Sequence, residues 1–196
     1  MNDWQIWFET GILHILDLGG YDHIMFIALL VFTYPINEWQ KLLGLITAFT
    51  LGHTVTLILS VTRIIEFPLR YTEILIMITI IITAINQLLA RKNTPNRVST
   101  VYLIICFFGI IHGLGFSYLL KVMLGGNENV MAPLLMFNVG LEIGQLVVVS
   151  LVVAVLLLIG KYAKAIERPF RLSVISIILV VSIILCFSRI LNLAPQ

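Results

Sequence analysis

The sequence predicts an all-α, polytopic membrane helix bundle: six transmembrane helices with an N-terminal interfacial or re-entrant helix before them. Three observations carry that expectation. Of the 196 residues, 60% are hydrophobic and only 11% are charged, about half the charged share of a soluble domain. The mean hydropathy is +1.06. Apolar runs of about 20 residues, the length a helix needs to cross a hydrocarbon core, recur along the whole chain. The expected organisation is one integral membrane domain over residues 1–196, in a bacterial-type inner or plasma membrane. The net charge of +2 is too small to point to nucleic acid, so the bilayer is the expected partner, and association into a homo-oligomer is left open.

Taken in order, residues 4–18 carry Trp4, Trp7 and Phe8 and are too polar to extend a span, which suits an interfacial or re-entrant helix. The first span is expected at about 20–35, closed by Pro35 and Asn37. The second runs over about 42–61. Pro68 precedes the third, at 72–89, and "RKNTPNR" separates it from the fourth, at 100–120. "GGNEN" and Pro133 introduce the fifth, at 132–159, and "KYAKAIERPFR" leads to the sixth, at 172–190. Cys106 and Cys186 fall inside apolar runs and read as small buried hydrophobes. With both termini outside, the inner loops hold Lys41, Arg91, Lys92, Arg97, Lys161, Lys164, Arg168 and Arg171. The outer segments hold only Arg63, Arg70, Lys121 and Arg189. The positive-inside rule favours that orientation.

Depth then becomes the informative quantity. At about 1.5 Å of rise per residue, His53 and His112 each lie roughly 12 Å below the outer surface. His23 lies just inside the first span. Asn138, Glu142 and Gln145 follow i, i+4, i+7 on one face of the fifth span. Thr47, Thr50, Thr54 and the adjacent His53 form a polar stripe on the second. All four histidines, with Asp22 and Glu142, thus fall in the outer half of the bilayer, delivered by separate segments. A lone histidine or a threonine stripe serves equally well as interhelical hydrogen bonding. A carboxylate as deep as Glu142 is costlier and marks an ion path, a proton relay or a paired site. Imidazoles with one or two carboxylates suit borderline first-row ions, Zn²⁺, Ni²⁺, Co²⁺ or Cu²⁺. In a straight helix His14 and His23 would be about 13 Å apart on opposite faces. They can meet only if Gly19-Gly20 breaks the helix.

The blocks "HILDLGGYDHIMF", "TAFTLGHTVTL", "GIIHGLGFS" and "FNVGLEIGQL" resemble the HupE/UreJ family of membrane proteins, in family order from about Gly11 to Val148. The resemblance implies a nickel or cobalt permease associated with hydrogenase and urease maturation. It carries His14, Asp22, His23, His53, His112 and Glu142 as metal-handling residues, with Asn138 beside them. Gln145, Thr50, Thr54 and Asn86 are expected to support the site or the path, Asn86 sharing a face with Thr79 and Thr83 in the third span. The expected cargo is Ni²⁺ or Co²⁺. The alternative function is an intramembrane zinc hydrolase, in which the same histidines hold Zn²⁺ and Glu142 is the general base.

Overall fold

The computed structural model describes residues 3–34, 36–89, 98–125 and 130–192, and among them the secondary structure is helical throughout. Seven α-helices follow one another: α1 Asp3–Leu16, α2 Tyr21–Thr33, α3 Trp39–Val61, α4 Leu69–Leu89, α5 Val98–Leu124, α6 Met131–Tyr162 and α7 Lys164–Leu191. Helices α3 to α7 are each long and apolar enough to cross a membrane, and α1 with α2 form a sixth, bent unit. This is an integral membrane helix bundle.

The first span is where sequence and structure part most. Helix α2 has 13 residues, about 20 Å of rise, too short to cross a hydrocarbon core of about 30 Å alone. Only together with α1, bent 69° from it, does α2 reach the length and hydropathy of a span. Helix α1 does not lie apart from the bundle: it packs along α6, with Trp7 and Ile15 buried. Between the two, Asp17 leaves the helix at φ −64°, ψ 124° and its carboxylate accepts a bond from Gly19 N at 2.9 Å. A 3₁₀ turn, Leu18–Gly20, then starts α2. The glycines act through a missing side chain, not through a left-handed backbone. Gly20 sits at φ −94°, and a Cβ there would come within 3.2 Å of the His14 carbonyl oxygen.

At the last break the expected loop is nearly absent. Only Ala163 interrupts the helix, at φ −146°, and α7 begins at Lys164, running through Pro169 in its second turn. Hydropathy marks only the apolar part of this helix. Its polar start is held by an i, i+4 pair, Arg171 Nη2 to Glu167 Oε1 at 3.0 Å. Residues 91–97 and 126–129, expected as turns, lie outside the described residues.

The bundle is built on two close helix contacts that repeat each other. Helix α1 packs on α6, and α3 on α5. A Cβ on Gly11 would collide with the Phe137 carbonyl oxygen, and one on Gly140 with that of Phe8. Likewise Gly109 faces the Phe49 carbonyl oxygen and Gly52 that of Cys106. In each pair the contacts advance together along both chains, so the helices run parallel: Gly140 then Gly144 meet Phe8 then Ile12, and Gly109 then Gly113 meet Phe49 then His53. Thus α1 corresponds to α5 and α6 to α3, each half lending one helix to each contact, while α4 packs on α7. Glycines allow this because small residues let helix backbones approach where lipid gives no hydrophobic drive.

Candidate metal centre

These contacts place the histidines. His14 stands three residues after Gly11 on α1, and His112 three residues after Gly109 on α5, so the two are counterparts in the repeated contact. Close approach of α5 to α3 brings His112 to the level of His53, and the bend after Leu16 turns His23 back towards His14. The His23 ring centre lies 4.8 Å from that of His14, 6.1 Å from His53 and 5.2 Å from His112. His14 and His53 are 5.8 Å apart. One donor atom from each of His14, His23 and His53, and one from each of Asp22, His23 and His112, fall within 4.8 Å of one another. His23 belongs to both groups and is the hub.

Hydrogen bonds decide which nitrogens are free. His23 Nδ1 is 3.1 Å from Asp22 Oδ1; with the carboxylate ionised, Nδ1–H donates and leaves the Nε2 lone pair available. Thr79 Oγ donates to the Ile76 carbonyl at 2.7 Å and so accepts from His112 Nε2 at 3.2 Å. His112 is thereby held with its Nδ1 lone pair exposed to the cluster. Among the described residues, His14 Nε2, His23 Nε2, both nitrogens of His53 and His112 Nδ1 are buried with no partner. Leaving one buried polar atom unpaired costs about 1–3 kcal/mol, so four neighbouring rings, each with at least one unpaired nitrogen, are a large unmet demand for partners. Around them stand Phe26, Phe49, Phe116 and Phe137, with Phe116 4.2 Å from His14 and Phe49 5.0 Å from His112. These rings make the surroundings apolar and lower the local dielectric, which strengthens any ion–ligand bond.

The other expected residues gather elsewhere. Glu142 Oε1 accepts from Thr47 Oγ at 2.6 Å, and Thr47 is six residues, about 9 Å, along α3 from His53. Thr50 Oγ donates to Gln145 Oε1 at 2.8 Å, and Thr54 Oγ lies 2.7 Å from Asn138 Oδ1. Together they form a hydrogen-bonded seam between α3 and α6. Asn86 is exposed, and its neighbour Gln87 faces inward, its Nε2 bonded to the Leu29 carbonyl at 2.6 Å and to Thr33 Oγ at 2.5 Å. That amide and Arg171, 3.3 Å from the Phe32 carbonyl, satisfy the last turn of the short helix α2. Thr79 was legible only as part of a polar stripe. Gln87 and the phenylalanine shell gave no sequence signal, because amides and aromatics in apolar runs are ordinary.

A cavity of about 160 Å³ reaches this cluster, lined by Asp22, His23, His112, Tyr21, Glu73 and Arg189 among others. An aromatic-walled set of imidazoles with one carboxylate, enclosed in a polytopic helix bundle, defines an integral membrane protein with a donor set for transition metals. The chain belongs to the HupE / UreJ protein family, whose profile matches residues 1–189. That family is associated with nickel and cobalt transport. No curated protein and no solved structure matches the chain.

Proposed function

We propose that the protein is a permease for a first-row divalent cation, Ni²⁺ or Co²⁺, which it captures at His14, Asp22, His23, His53 and His112. The observation that carries the reading is that each of four neighbouring imidazoles keeps at least one buried, unpartnered nitrogen, with His23 and His112 lining a cavity. Neutral imidazoles with one carboxylate match these ions in softness and leave the bound cation partly uncompensated, as cargo that must depart requires. The cavity opens beside Tyr21 and the end of α7, which is the outer side in the orientation the loop charges favour, with both termini outside. The seam of Thr47, Thr50, Thr54, Asn138, Glu142 and Gln145 is the onward path, neutral except for one carboxylate. The hydrolase reading needs a base beside the metal, and the position of Glu142 next to Thr47 weighs against it.

The test is uptake of radioactive Ni²⁺ or Co²⁺ into proteoliposomes. Uptake should vanish in His23→Ala and His112→Ala. In Glu142→Gln it should slow while the bound-metal stoichiometry stays unchanged. Metal held tightly with none crossing, or full uptake by His23→Ala, would overturn the proposal.

A further inference from the structure

The cavity leading to the cluster is lined, beside Tyr21, by an ion pair. We propose that this pair, Glu73 with Arg189, is a first divalent-cation station and filter that the ion occupies before it reaches the histidines. The inference rests on reading the cluster as a cation site. A second cavity of about 160 Å³, lined by Arg70, Glu73, Arg189 and Asn192, adjoins the first. Glu73 and Arg189 are the two residues common to both linings, so they form the partition between the second cavity and the one lined by Asp22, His23 and His112.

The geometry of the partition is that of a tethered, exchangeable counter-ion. Arg189 Nε lies 3.5 Å from Glu73 Oε2. Its Nη1 donates to the Glu73 main-chain carbonyl at 2.9 Å, and its Nη2 reaches Tyr21 Oη at 3.4 Å. The guanidinium thus has two anchors that do not involve the carboxylate. When Glu73 turns to an incoming ion, Arg189 stays on the wall through the carbonyl and the tyrosine. The pair is partly open, with the Glu73 side chain 42% exposed and that of Arg189 22%, which makes it a weak staple between α4 and α7. In the neck, however, its charges face every entering ion. A monovalent cation offers Glu73 nothing the guanidinium does not already offer. A divalent ion brings twice the charge, displaces the guanidinium, and is drawn on by Asp22 behind it. No covalent step is involved; the exchange is one of counter-ions.

A structural staple and a charge filter predict different signs. The experiment is stopped-flow loading of the full-length protein in detergent with cobalt(II) alone, followed by the visible absorption of the His-bound ion. Removing the barrier charge in Arg189→Gln should speed loading about tenfold, and removing the attracting charge in Glu73→Gln should slow it about tenfold. The double variant should return near the parent rate, and the spread should shrink as salt is raised. All should reach the same final absorbance, which verifies folding independently of rate. Single variants that both slow loading, or leave it unchanged, overturn the filter. A parent protein that never develops the cobalt band overturns the cluster reading itself, a result separable from the first.

Discussion

Replacing Gly109 with alanine tests the close contact on which the cluster depends. The new Cβ would press on the Phe49 carbonyl oxygen, 2.9 Å from the Phe49 carbonyl carbon and 3.1 Å from His53 N. Favourable contacts between carbons lie at about 3.5–4.0 Å, so α3 and α5 must part by on the order of 1 Å. Overpacking of this kind costs about 1–3 kcal/mol. Every atom met is backbone, with no rotamer through which to escape, so the upper half of that range applies. Alanine's helix preference over glycine offsets about 1 kcal/mol, leaving a net loss of about 1–2 kcal/mol. For a chain of this size that is a fall in Tm of about 2–8 °C, read by thermal unfolding in detergent. Gly160→Ala is the control, because its Cβ would meet only Glu167 Oε2 at an ordinary 3.5 Å. Because His53 moves with α3, cobalt affinity should fall in Gly109→Ala and not in the control. The reasoning is refuted if Gly109→Ala melts at or above Gly160→Ala.

Three further outcomes follow from single residues. Thr79→Val removes the acceptor that orients His112 and should weaken metal binding 10- to 100-fold, measured by competition titration; Thr79→Ser should restore it. Gln87→Leu removes one of the two cross-helix donors at the end of α2, the one on the Leu29 carbonyl, and should cost about 1–2 kcal/mol in thermal unfolding. Arg63 ends α3 at φ 60°, with Arg63 N bonded to Ser60 O and Ile64 N to Leu59 O. That is a closing turn usually made by glycine. Arg63→Gly should therefore raise stability by about 1 kcal/mol, and an unchanged or lower Tm would show that the side chain contributes more than its backbone costs.

What the sequence disclosed followed from how each feature is encoded. Apolar runs of spanning length are written locally, so α3 to α6 stand close to their expected bounds. The amphipathic start of α7 lies outside any apolar run and was not visible in that way, while α1 was readable as an interfacial or re-entrant helix but its packing along α6 was not. The condition for bringing His14 to His23, a broken helix between them, was readable from Gly19-Gly20. The pivot itself is Asp17, whose capping bond to Gly19 N is local and is of the kind Asp makes at helix starts and turns. Depth along a helix put Glu142 level with the histidines. Depth carries no information about azimuth, and Glu142 turns to Thr47 while His53 faces the cluster. Asp22 sets the His23 tautomer from the adjacent position, whereas Thr79 sets that of His112 through a contact between helices that no spacing rule encodes.

The reciprocal packing of the two halves has a consequence for how the chain is put together. Neither half owns the cluster: residues up to Leu89 bring His14, His23 and His53, and those from Val98 onward bring His112 on the counterpart of the helix that carries His14. At the position matching His53 the second half has Leu141, so only one half carries that imidazole. The protein is built of two similarly packed halves that supply unequal numbers of ligands to one cluster. Severed between Leu89 and Val98 and produced as two polypeptides, it should reassemble through the same glycine contacts, and cobalt binding should return only when both pieces are present.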